Sequence, residues 1–222
     1  MESFASIFER AANRKGGVDE LEQLLPTHKS SRELGKLDDA DVLAEMTKCV
    51  FRSGFVWQVI ENKWAGFETA FHSFDVTRCA MLSDEELEVL QTDVAIVRHA
   101  KKIQSVQRNA QYILDVRDVA GSYGEFLAAW PVDDFVGLWT DLKQRGDRLG
   151  GQTGRYVLRF LGRDTPSLSR DVVNALIAAD VVDKEPTSKK ALASVQAAFN
   201  AWREESGRSY CQISRALACS VP

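Results

Sequence analysis

The sequence predicts an all-α protein. Three observations carry this reading: apolar residues recur at helical spacing along nearly the whole chain, helix start and stop residues flank those runs, and no segment reads as a convincing strand. With 222 residues, 45% hydrophobic and 27% charged, the chain is long enough for one large core or two small lobes. That composition excludes the disordered and fibrous classes.

Residues 1–37 read as additional helices, interrupted by irregular stretches at Asn13 to Gly17 and Thr27 to Ser31. Asp38-Asp39-Ala40-Asp41 opens the next helix, because acids suit the positive end of a helix dipole, and Val42, Leu43, Met46, Val50 and Phe51 continue it. After Gly54 the pattern resumes with Phe55, Val56, Val59 and Ile60, then Phe67, Phe71 and Phe74. Ser83 followed by Glu86 is a capping box ahead of Leu87 and Leu90. A long helix is expected from about Ala95, carrying Ile96, Val97, Ile103, Val106, Ala110, Ile113 and Leu114. Another is expected from Thr187 to Arg203, framed by Pro186 and Gly207, with Asp180 to Ser188 irregular before it.

The most informative stretch runs over residues 142–162. Phe135, Leu138, Trp139 and Leu142 recur at helical spacing, Lys143 and Arg145 suit the helix end, and Gly146 can close it. The pair Gly150-Gly151 permits a tight turn with positive φ, and Thr153 lies just inside a second helix with an apolar face of Tyr156, Val157, Phe160 and Leu161. A helix N-terminus behind a bare glycine turn is an anion site, and phosphate can approach it closely. Between Asp141 and Asp171 the cations Lys143, Arg145, Arg148, Arg155, Arg159, Arg163 and Arg170 face the acids Asp141, Asp147, Asp164 and Asp171, so the segment is positive in an acidic protein. The alternative is an ordinary αα-hairpin with a solvated face.

The remaining numbers bound the function. A net charge of −4 and a pI near 5.5 argue against a protein that coats nucleic acid indiscriminately, though not against one with a local positive groove. No apolar run approaches the ~20 residues needed to span a bilayer, and the first ten residues carry no export signal, so no membrane and a cytoplasmic location are expected. Cys49, Cys79, Cys211 and Cys219 show no CxxC spacing and read as reduced, buried thiols. His99, beside Arg98, Lys101 and Lys102, suits either phosphate contact or packing, and packing is favoured.

A second set of residues carries a family resemblance. Asp38-Asp39, Leu43, Glu45-Met46, Ser53-Gly54-Phe55-Val56-Trp57, Phe67, Ala70-Phe71, Phe74-Asp75, Ile96, Arg98-His99, Lys102-Ile103 and Asn109-Ala110 resemble, in order and spacing, the DNA-3-methyladenine glycosylase I family. The hairpin falls where the wider helix-hairpin-helix base-excision glycosylases keep theirs, so the resemblance covers about residues 38 to 176. It implies a two-lobed all-α fold with a central cleft, organised as a helical extension over residues 1–37 and a glycosylase-like domain over residues 38–222. It also implies double-stranded DNA as partner and a damaged base flipped into the cleft. Trp57 matches the family's stacking tryptophan, although large aromatics also belong in cores. Cys49 and Phe51 are its expected neighbours at the base. Arg148, Leu149, Gly150, Gly151, Gln152, Thr153 and Arg155 are expected to hold the DNA backbone. The reaction implied is hydrolysis of the N-glycosidic bond of an alkylated purine by a monomer without cofactor.

Three departures qualify the resemblance. The family's pocket glutamate, eight residues before the tryptophan, is replaced by Cys49, which leaves Glu45, one turn earlier, as the candidate acid. Wider-superfamily enzymes that form an imine place a lysine before the hairpin threonine, where Gln152 stands, so no lyase chemistry is expected. Ser169 takes the place of those enzymes' usual aspartate, as is compatible with the 3-methyladenine family, and Asp171 lies two residues beyond. The family's zinc ligands are missing, since no cysteine precedes Cys49 and the histidines are His28, His72 and His99; no zinc is expected. A second reading follows from Cys49: a protein that binds damaged or distorted DNA and has lost the chemistry.

Overall fold

A computed structural model describes residues 1–222. Fifteen α-helices follow one another: α1 (Phe4–Lys15), α2 (Val18–Glu22), α3 (Ser31–Leu34), α4 (Asp39–Arg52), α5 (Trp57–Asn62), α6 (Trp64–Ala70), α7 (Val76–Ala80), α8 (Asp84–Thr92), α9 (Ala100–Ala120), α10 (Tyr123–Ala129), α11 (Phe135–Arg145), α12 (Gln152–Leu161), α13 (Arg170–Ala178), α14 (Lys189–Ser206) and α15 (Tyr210–Ser220). A single 3₁₀ turn spans His72–Phe74, and there is no strand. No helix is long and apolar enough to cross a membrane. The chain forms two compact units, one of residues 1–28, 131–138 and 162–222, the other of residues 29–130 and 139–161.

The first unit is closed by contacts distant in sequence. α1 packs on α15, which also receives α13 and α14. The N-terminus of α1 is capped from α14, where the Glu205 carboxylate accepts from the amides of Phe4 (2.9 Å) and Ala5 (3.0 Å). Trp202, fully buried, donates its indole N–H to the carbonyl of Glu2 at 3.0 Å. Asp164 does the same service for α15, accepting from the amides of Tyr210 (3.1 Å) and Cys211 (2.9 Å) while paired with Arg203 at 3.2 Å. A buried carboxylate with three donors is satisfied, which is why it is tolerated there. Arg163, counted above among the hairpin cations, belongs to this unit; it is buried and donates to the Pro131 carbonyl at 3.2 Å.

The second unit is organised on α4, which packs against α7, α9, α10 and α12. Asp38 caps α4 by accepting from Ala40 N at 2.8 Å, as its acidic start predicts. Phe67 stacks with Trp64 and Phe71, and Phe71 in turn with Phe74, which is why aromatics at this spacing read as helix and end as core. The Ser83–Glu86 capping box forms on both sides. Several boundaries differ from the sequence reading. α1 runs on through Asn13 to Lys15, and the chain leaves the helix only at Gly16 (φ 98°). α9 begins at Ala100, not near Ala95, because the Asp93 carboxylate accepts from Ala95 N at 2.7 Å and holds a turn. α14 begins at Lys189, after Ser188 caps it through Ala191 N.

Candidate functional site

The hairpin connects α11 to α12 through residues 146–151. Its turn is shaped by Arg148 (φ 63°) and Gly151 (φ 62°), so the left-handed residues are Arg148 and the second glycine, not both glycines. Gly154 is required for a different reason: a Cβ there would lie 2.1 Å from the Leu149 carbonyl oxygen. Leu149 is 1% exposed and serves as the hairpin's apolar plug, not as a side chain for DNA. The buried amide of Asn109 on α9 locks the turn from below. It donates to the Asp147 carbonyl at 3.1 Å and accepts from the Asp147 amide at 2.7 Å, while Arg108 pairs with the Asp147 carboxylate at 3.0 Å. Arg155 lies over the Trp139 ring at 4.2 Å and reaches Gln152 at 3.3 Å.

One face of α12, the C-terminal end of α4 and the start of α5 enclose a cavity of about 220 Å³. Cys49, Arg52, Ser53, Gly54, Trp57, Gln152, Thr153, Tyr156 and Phe160 line it. Tyr156 and Phe160 stack at 5.9 Å, and the Trp57 ring stands edge-on to both, at 5.9 and 6.2 Å. All three aromatics remain open to solvent, Trp57 at 45%, Tyr156 at 37% and Phe160 at 46%. Trp57 is therefore not a core tryptophan. Three large aromatics left half-exposed around a concavity are what a flat apolar ligand requires.

The polar part of the wall comes from α4. Glu45, Cys49 and Arg52 follow one another at helical spacing and form a chain: the Cys49 thiol donates to the Glu45 carboxylate at 3.2 Å, and Arg52 pairs with Glu45 at 3.8 Å. Arg52 also donates from Nε to Glu61 at 3.1 Å, and Lys48 pairs with Glu61 at 3.0 Å. Burial, and then the adjacent Glu45 carboxylate, push the Cys49 thiol far above its ordinary range, so it stays protonated and donates. Glu45 itself does not line the cavity. Behind the Ser53 wall, the buried amine of Lys102 donates to the carbonyls of Phe51 (3.2 Å) and Ser53, capping the end of α4. Burial, with help from Arg148, lowers its pKa to about 8.

The expectation that Phe51 touches the base is corrected. It is 0% exposed and packs edge-on against Phe67 at 4.6 Å, because two residues along a helix turn the side chain by about 200° from the Cys49 stripe. His99 precedes α9 without capping it through its side chain, and its ring meets Phe55 edge-on at 6.4 Å. Ser169 caps α13 by accepting from Val172 N at 3.3 Å. The sequence reading missed Arg52 as a cavity residue and treated Tyr156 and Phe160 only as an apolar helix face. The available signal was the position of Arg52, three residues after Cys49 on the same face.

One cluster of metal-ligand side chains exists, His28, Asp164 and Cys211, with ligand atoms within 4.8 Å of one another. It does not fit a structural zinc. It supplies three ligands where four are needed, and both Asp164 oxygens already serve the α15 amides and Arg203.

An all-helical chain with a glycine-turned helix-hairpin-helix and an aromatic cavity opening beside its second helix defines a helix-hairpin-helix glycosylase fold. Residues 29–153 match the methyladenine glycosylase family, and the chain belongs to that family. It is 29% identical over 76 residues to DNA-3-methyladenine glycosylase 1 of Escherichia coli (strain K12), a stretch covering 34% of this chain and 41% of that protein. The chain thus spans less than half the length of the curated relatives it matches. The solved 3-methyladenine DNA glycosylase I from Staphylococcus aureus is similar at 27% identity and a TM-score of 0.50, over 56% of this chain and 77% of that one. The 8-oxoguanine glycosylase/lyase of Methanocaldococcus jannaschii, at 13% identity, shares the fold over 96% of this chain and 95% of that one, with a TM-score of 0.51.

Proposed function

We propose that this protein is a monofunctional DNA glycosylase that flips an alkylated purine of the 3-methyladenine type out of duplex DNA and hydrolyses its N-glycosidic bond. One observation carries the reading: Gln152 and Thr153, at the hairpin end of α12, line the same cavity as Trp57. A backbone phosphate held at the N-terminus of α12, by the turn of Gly150, Gly151 and Thr153, would bring the adjoining nucleotide to that cavity. Stacking on Trp57, worth about 1–3 kcal/mol, offsets part of the few-kcal/mol cost of unpairing the base. The named activity of the relatives supports the substrate class.

The chemistry asks little of the protein. An N-alkylated purine is already cationic and departs as a neutral base, so no acid need protonate it; the demand is for negative charge near the positive sugar left behind. Glu45 is the proposed source, reaching the cavity wall through Cys49 and Arg52. Gln152 has no amine, so water must complete the reaction and leave an unbroken abasic strand.

The test is incubation with a duplex carrying 3-methyladenine. Free 3-methyladenine should accumulate, the strand should break only on later alkali treatment, and borohydride should trap no covalent adduct. Tight binding without release of base would overturn the enzymatic reading, and trapped adduct would overturn the monofunctional one.

A further inference from the structure

Arg52 is the one charged side chain among the residues lining the cavity. Its guanidinium carbon lies 4.9 Å from the centre of the Trp57 ring and 5.3 Å from that of Phe160. A guanidinium over aromatic faces is held there by the rings' quadrupoles. These are the faces on which a flipped base would stack. The same group is tethered from behind by Glu61 and Glu45, and Lys48 also engages Glu61, so two cations and two acids close on themselves. No carboxylate lines the cavity itself.

We infer that Arg52 competes with the base for the aromatic slot, so that the resting cavity holds the protein's own flat cation and an incoming base must displace it. This rests on the reading of the cavity as a base site. The competition lowers the affinity of every base by the same factor, and a cationic, N-alkylated purine is the base best able to offset it. Such a base takes over the cation–π contacts that the guanidinium gives up, whereas an uncharged base replaces only the stacking. Leaving the rings costs Arg52 those two contacts and no more, because Glu61 and Glu45 still pair with it. A slot that is filled when no base is present lowers apparent affinity by the fraction of time it is open.

The experiment uses the full chain and three duplexes: one with 3-methyladenine on a 2′-fluoro sugar, which resists hydrolysis and stays cationic, one with the uncharged isostere 3-deaza-3-methyladenine, and one with adenine. Arg52→Gln should bind both lesion duplexes more tightly than wild type and by the same factor, about tenfold, the worth of the two exposed cation–π contacts that the incoming base must break. Arg52→Lys, which keeps the charge but not the flat stack, should fall between and provides the reading if the glutamine variant is unstable. An unchanged or weakened affinity for the lesion duplexes, or a gain confined to the cationic one, which marks charge repulsion in place of occupancy, overturns the inference and leaves the base site standing. If wild type and both variants fail to distinguish the lesion duplexes from adenine, the cavity is not a base site and the proposed function falls with the inference.

Discussion

Asn109→Ala is the sharpest test of how the hairpin is held. The side chain is buried, and its amide makes two bonds to the backbone of a single residue, donating to Asp147 O at 3.1 Å and accepting from Asp147 N at 2.7 Å. Truncation removes both partners and strands an amide and a carbonyl beneath a turn that already contains left-handed Arg148 and Gly151. Each stranded group costs about 1–3 kcal/mol, and partial solvent access to Asp147 reduces the sum to about 2–4 kcal/mol. That is a large share of the 5–15 kcal/mol typical of a whole domain. Urea unfolding should show the loss as a lowered midpoint with unchanged slope. Affinity for duplex DNA should fall with it, and the salt dependence of the remaining binding should flatten as phosphate contacts are lost. A stability loss under about 0.5 kcal/mol, the range of ordinary surface substitutions, would refute the claim that Asn109 anchors the hairpin.

Further outcomes follow from the same geometry. Asp164→Ala should destabilise the protein by about 3 kcal/mol, since it uncaps α15 at two amides and leaves Arg203 without its partner; thermal unfolding measures this, and Asp164→Asn should recover only part of it. Lys102 gives a pH signature. Its folded pKa is near 8, below the unfolded value, so the cost of burying its charge is full below pH 8 and is relieved as pH rises from about 8 towards 10. The stability difference between wild type and Lys102→Met should therefore move in favour of wild type over that window, while the thiols, common to both proteins, cancel. Gly154→Ala should yield little folded protein, because its Cβ would overlap the Leu149 carbonyl, whereas Gly151→Ala meets no atom within 4 Å and should cost only the left-handed backbone penalty of about 1–2 kcal/mol.

What the sequence could tell depended on how local the cause was. The acidic start of α4, the Ser83–Glu86 box and the hairpin between α11 and α12 are written in neighbouring residues, and the helices stand where those signals place them. The start of α9 was hidden because a single Asp93 turn overrides an apolar pattern that runs straight through it. The pairing of α1 with α14 and α15 joins residues about 200 apart, and nothing in either segment announces the other. In the site, Trp57 and the hairpin were legible as motifs. Arg52 was not, because its importance lies in the rings that it covers, and those come from α5 and α12. Phe51, expected at the base, stands away from the cavity for the complementary reason: it shares α4 with Cys49 and Arg52, but the helix turns it into the core.

The central claim is that the cavity beside the hairpin receives a flipped base through Trp57. It is tested most directly by the single-turnover rate at which wild type and Trp57→Ala release free 3-methyladenine from duplex DNA. The structure predicts measurable release by wild type and a rate ten- to about a hundredfold lower for the variant, the cost of one lost stacking contact. Equal rates for the two proteins would contradict it.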